Sequence, residues 1–193
     1  MAFINERDKE INCKIVYYGP PRCGKSTSIR QIYNSVKKET KGELISITSD
    51  DDKTLYFDFV PITLGKVKDY TIRLHLYTVP GEVAYEANRK IISKGVDGVV
   101  FVADSELENI EKNLASIAEL KDILAREGQD LIKVPLVIQY NKRDLPNAAP
   151  LKELKNLINK FGAPDFETVA TEGKNVFDAF KTIATKVLKD LKR

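Results

Sequence analysis

With two cysteines and no apolar run long enough to span a bilayer, the 193-residue chain is poorly equipped for disulfide or membrane chemistry. Cys13 and Cys23 cannot make the disulfide framework of a small secreted domain, so the pattern is cytosolic. Cys13 is expected to be a small buried side chain and Cys23 a loop filler. Charge of one sign is also lacking. The 31 basic and 28 acidic residues leave a net charge of +3, too little to draw the chain to nucleic acid or to a membrane. The basic clusters at Lys37-Lys38 and from Lys186 to Arg193 read as solvated helix faces. The N-terminus has no signal-peptide core, residue 2 is Ala rather than a myristoylated glycine, and Leu191-Lys192-Arg193 carries no prenylation cysteine. The expectation is a cytoplasmic protein with no nucleic-acid partner and no membrane anchor of its own. His75, the only histidine, falls in a strand-like run and reads as a satisfied strand residue rather than a general base.

What is present is a regular alternation of apolar strands and amphipathic helices. No repeat, low-complexity tract or linker interrupts it, so residues 1–193 are read as one domain. Strands are predicted at Lys14–Tyr18, Thr54–Ile62, Thr71–Val79, Gly98–Ala103, Leu136–Tyr140 and near Phe166–Val169. Val99-Val100-Phe101-Val102 and Val134 to Ile138 are almost wholly apolar, as strands covered on both faces are. Helical stripes run through Ile110, Leu114, Ile117 and Leu124, and through Phe177, Phe180, Ala184, Val187, Leu188 and Leu191. A further stripe, from Leu151 to Phe161, is stopped by Gly162. The predicted fold is α/β, a mostly parallel six-stranded sheet with helices on both faces. In such folds ligands bind beyond the carboxyl ends of the strands.

One of those strand ends leads into Gly19-Pro20-Pro21-Arg22-Cys23-Gly24-Lys25-Ser26, which matches the phosphate-binding pattern G-x-x-x-x-G-K-[ST]. Glycines let backbone N–H groups turn toward phosphate oxygens, and the helix starting at Lys25 adds a partial positive charge. Gly19, Pro21, Arg22, Cys23, Gly24, Lys25, Ser26 and Thr27 are therefore candidate nucleotide-binding residues. Lys25 would reach the β and γ phosphates, and the Ser26 hydroxyl would ligate Mg2+. A second strand ends in Asn141-Lys142-Arg143-Asp144. The Asp144 carboxylate can accept two hydrogen bonds from the N1–H and exocyclic amine of guanine, a donor pair that adenine lacks. Asn141 would brace the loop, and the Lys142 stem would lie along the base. A nucleotide kinase would show an arginine-rich lid and no guanine-reading motif, which is the reverse of this chain.

On these motifs the chain resembles the Ras-like small GTPases, and among them the bacterial and archaeal MglA (mutual gliding) branch. Thr78-Val79-Pro80-Gly81 stands where most small GTPases have D-x-x-G, and Asp52 to Phe59 resembles that branch's first switch. Lys94 to Ser105 resembles the strand that follows, and Glu167 to Thr171 the loop that closes over the base. The resemblance implies a P-loop NTPase of small GTPase fold that binds GTP/GDP with Mg2+. It implies that Thr54 ligates Mg2+, that the Gly81 N–H meets the γ-phosphate, and that the Ala170 N–H meets the guanine oxygen. It further implies two switch loops, near 40–55 and 80–89, that order with GTP and relax on hydrolysis.

The departures from the family fall on hydrolysis. Glu82 stands where a glutamine orients the attacking water; its charge would repel the phosphate, slowing hydrolysis or raising its own pKa. Alternatively it faces solvent and another group places the water. Lys53 replaces an internal arginine finger, bringing charge without the planar fork. Pro21 replaces a glycine and offers no N–H. Thr78 leaves the surroundings of the ion in need of another anion. Arg22 and Arg89 are possible substitute fingers that read more simply as surface residues. Lys25, Lys53 and Glu82 are the candidate catalytic residues. By resemblance the partners are effector proteins and an MglB-like roadblock homodimer that activates hydrolysis, with recruitment to a cell pole and an output in polarity or surface motility. The competing reading is a GTP-binding scaffold that does not hydrolyse.

Overall fold

The computed structural model describes residues 3–48, 54–80 and 86–191. In chain order the elements are β1 (Phe3–Asn5), β2 (Glu10–Tyr18), α1 (Lys25–Ser35), β3 (Ile45–Thr48), β4 (Thr54–Val67), β5 (Tyr70–Thr78), α2 (Glu86–Ser93) and β6 (Gly98–Asp104). They continue with α3 (Ile110–Arg126), β7 (Leu136–Asn141), α4 (Leu151–Ile158), β8 (Asp165–Glu167) and α5 (Val176–Asp190). The sheet order is β3-β4-β5-β2-β6-β7-β8, with β1 against the start of β2. β5, β2, β6, β7 and β8 run parallel. β1, β3 and β4 are antiparallel to their neighbours.

Strand periodicity divides the core in two. Cys13, Ile15 and Tyr17 of β2 face Ile29 and Ile32 of α1 and Phe180, Ile183 and Val187 of α5. Val16 and Tyr18 face the opposite way, toward Ile92 of α2, Leu120 and Leu124 of α3, and Leu154 and Ile158 of α4. β6 and β7, apolar in sequence, are buried along their whole length because both faces are covered. Among the described residues no helix is long and apolar enough to cross a membrane.

Among the described residues, eight strands replace the six expected. β1 and β3 are only 3 and 4 residues long, too short to carry a periodic signal. β3 also occupies part of the stretch expected as a switch loop, and Thr54 is the first residue of β4. α4 stops at Ile158, short of Phe161 and Gly162. The side chain of Asn159 explains the early stop. Its Oδ1 accepts from the Ala163 N–H, while its Nδ2 donates to the Ala163 carbonyl and to Asp165 Oδ2. These bonds offer the backbone an alternative to another helical turn.

Candidate functional site

The carboxyl ends of β2, β6 and β7 lie side by side, and two loops rise from them. The first leaves β2 at Gly19. Its φ of +147° suits glycine, and a Cβ there would sit 2.2 Å from the Val102 carbonyl oxygen of β6. Gly24, with φ +103°, caps α1; a Cβ would stand 2.2 Å from Asn141 Nδ2. Between them Pro21 is half-buried, Arg22 is exposed in a left-handed conformation, and Cys23 is buried. Burial pushes the Cys23 thiol up, with Lys25 opposing, so it fills the loop as a neutral side chain. Lys25 is buried and folds back into the loop. Its Nζ donates to the carbonyls of Gly19 (2.9 Å) and Pro20 (2.7 Å) and lies 3.7 Å from Cys23 Sγ. The ammonium thus sits inside the turn of chain that would take a phosphate. Ser26 and Thr27 occupy the first turn of α1, half-buried.

Asn141, at the end of β7, ties three segments together. Its Nδ2 donates to the Cys23 carbonyl at 2.7 Å, and its Oδ1 accepts from Thr168 Oγ1 (3.2 Å) and the Ala170 N–H (2.9 Å). The Ala170 N–H, expected to face the guanine oxygen, is therefore engaged by Asn141 in this structure. Lys142 has a left-handed backbone (φ +65°) and an ion-paired head. Its Nζ lies 2.6 Å from Asp104 Oδ2 and 2.7 Å from Glu106 Oε2. Burial alone would lower the Lys142 pKa; the bonds to Asp104 and Glu106 outweigh it and hold the ammonium above its ordinary value. The same bond to Lys142 holds Glu106 below the usual carboxylate range.

Between the two loops lies a cleft of about 280 Å³, lined by Arg22, Gly24, Thr27, Lys142, Asp144 and Ala170. It is roomy enough to admit a flat bicyclic base. Asp144 is exposed on its wall, with no hydrogen-bond partner among the described residues. A free carboxylate beside a lysine stem, next to a glycine loop holding a buried ammonium, fits a guanine nucleotide. The Ser26 hydroxyl, in the first turn of α1, is a hard oxygen ligand of the kind that fits Mg2+ rather than a softer metal.

Lys53, Gly81 and Glu82 lie outside the described residues. Arg89 does not behave as expected. It is 5% exposed, and its guanidinium bonds Glu119 at 2.8 and 3.0 Å and the Pro80 carbonyl at 3.3 Å. It is neither a surface residue nor a free finger, because a buried guanidinium needs its carboxylate. Sequence reasoning also missed Asp58, Asp104, Glu106 and Glu119. Only Asp58 left a signal: strand alternation places it on the same face as the apolar Val60 and Ile62.

A family model described as the ADP-ribosylation factor family matches residues 2–187. The mutual gliding-motility protein MglA of Myxococcus xanthus (strain DK1622) is 53% identical over 193 residues, covering 100% of this chain and 99% of that protein. ADP-ribosylation factor-like protein 4A of Homo sapiens is 31% identical over 100 residues, 51% of this chain and 46% of that protein. A glycine loop, a cleft holding Asp144 and 53% identity along the full length agree, and the chain belongs to the ADP-ribosylation factor family as an MglA-like small GTPase.

Proposed function

We propose that this protein is a GTP/GDP switch with slow intrinsic hydrolysis, reset by an MglB-like roadblock homodimer and acting in cell polarity or surface motility. The observation that carries the nucleotide part is the cleft that holds Asp144, Lys142 and Ala170 against Gly24 of the phosphate loop. Asp144 reads guanine, Asn141 locks the two loops together, and Lys25 presents its charge to the β and γ phosphates. Ser26 and Thr54 hold Mg2+, which when bound neutralises charge on the phosphate oxygens. The slow rate is argued from Glu82, Lys53 and Pro21, which replace a water-orienting amide, an arginine fork and a loop N–H donor. Reset by a partner and the role in motility are carried over from the MglA likeness.

Single-turnover GTP hydrolysis, measured with and without a roadblock homodimer, tests the proposal. A slow basal rate that rises severalfold or more with the partner is expected. Tight GTP binding with no hydrolysis in either case would replace the switch with a scaffold. Asp144→Asn tests base reading: GDP affinity should fall by about tenfold or more by titration calorimetry, while affinity for xanthosine diphosphate rises. Equal affinity of the unaltered protein for GDP and ADP would overturn the assignment of the cleft.

A further inference from the structure

Thr78 stands where most small GTPases place an aspartate, and the structure puts a carboxylate beside it from another strand. Asp58 of β4 is 1% exposed. Its Oδ2 accepts from Thr78 Oγ1 at 2.8 Å, its Oδ1 accepts from Ser46 Oγ, and its own N–H donates to Thr78 Oγ1 at 2.7 Å. Both donors to the carboxylate are neutral hydroxyls. Among the described residues no lysine, arginine or histidine pairs with it. A buried carboxylate without a counter-charge is costly, and a cation at the same place would offset that cost.

The topology points the group toward the phosphate end of the sheet. Asp58, Val60 and Ile62 share one face of β4, and Val60 and Ile62 pack in the core layer that contains Ile29 and Ile32 of α1. Asp58 is therefore on the α1 side, where Ser26 lies in the first turn of the helix. Thr78 is the last residue of β5; it pairs with Tyr17 of β2, and the Val79 N–H donates to the Tyr17 carbonyl just before the phosphate loop begins. β4 runs antiparallel to β5, so its early residues reach this end.

We propose that Asp58 supplies the anion of the magnesium site that Thr78 lacks, with the Thr78 and Ser46 hydroxyls fixing its carboxylate in place. The aspartate has in effect moved to the neighbouring strand, and threonine remains at 78 because its hydroxyl holds the displaced carboxylate. Asp58 is a positioning residue: it acts on the nucleotide through the ion. The inference rests on the magnesium-dependent nucleotide site proposed above.

The test is the rate at which a fluorescent GDP analogue leaves, in millimolar Mg2+ and in EDTA, for the whole chain. The unaltered protein should release it much more slowly in Mg2+. Asp58→Asn keeps size and acceptor oxygen but loses the charge; its Mg2+ release should quicken about tenfold or more while its EDTA release stays near the original. Adding Thr78→Asp to Asp58→Asn returns a carboxylate to the pair and should restore the ratio of the two rates. If Asp58→Asn does not fold alone, this double variant decides the matter: a ratio near that of the unaltered protein supports the proposal, and a ratio near one overturns it. Equal quickening in both conditions would show a purely structural aspartate and also overturn it. An unaltered protein indifferent to Mg2+ would overturn both this inference and the nucleotide reading beneath it, whereas an unchanged ratio in Asp58→Asn would overturn this inference alone.

Discussion

At the scale of single residues, Asn141 does the most joining. Three groups depend on its amide: the Cys23 carbonyl, the Thr168 hydroxyl and the Ala170 N–H. Asn141→Ala leaves buried donors and acceptors without partners, at about 1–3 kcal/mol each. GDP affinity by calorimetry should fall at least about tenfold, with a lower unfolding midpoint in urea. His75 makes a different prediction. Burial holds its imidazole below the ordinary value, Arg73 lowers it further and Glu10 opposes. The unfolded chain therefore binds the extra proton first, so this contribution to stability is full above about pH 6.5 and declines as pH falls toward the folded value. Urea unfolding across pH 5–8 should show that decline, and His75→Gln should flatten it. Asp144 was legible in the sequence because it belongs to a local motif. Asp58 was only half legible: its face could be read from alternation, but its Thr78 partner lies 20 residues on and is brought near by strand pairing.

At the scale of elements, the phosphate loop is shaped as much by β6 as by its own residues. Gly19 passes so near the Val102 carbonyl that alanine would have to displace backbone. Gly19→Ala should cost at least about 2 kcal/mol in chemical unfolding from the positive φ and the clash together. The second element is α2, which is bolted to α3. Arg89 grips Glu119, whose other oxygen accepts from the Tyr18 hydroxyl at 2.8 Å at the end of β2, and Arg89 also holds the Pro80 carbonyl. Glu119→Ala takes the shared acceptor from a buried guanidinium and a buried phenol, a loss of about 3–5 kcal/mol. Hydrogen exchange should then quicken in α2 ahead of the rest of the sheet. The five longer strands were readable because apolar runs and alternation need only local sequence, whereas the strand expected near Phe166–Val169 proved to be only the three residues of β8. β1, β3 and the α2 anchor were not readable, since strands of three or four residues have no clear period and the Arg89–Glu119 pair spans 30 positions.

At the scale of the whole molecule, one sheet with a separate core on each face brings the loops that carry the two sequence motifs to a single end. The loop after β2, the end of β6 at Asp104 and the loop after β7 converge there from segments far apart in sequence. A ligand bridging those loops links both cores, because the phosphate loop leads into α1 on one face and Lys142 leans on Asp104, just ahead of α3 on the other. Binding confined to the folded state raises stability by RT ln(1 + [L]/Kd), about 2.7 kcal/mol when the ligand exceeds its Kd a hundredfold. For a chain of 193 residues that corresponds to a rise in Tm of roughly 5–10 °C. GDP with Mg2+ should produce this shift as one cooperative transition, and ADP at the same concentration should not. Two transitions, with only one of them moved by GDP, would mean that the faces unfold separately and that the loops do not couple them. A single transition moved by GDP alone would tie guanine recognition by Asp144 to the stability of the entire domain.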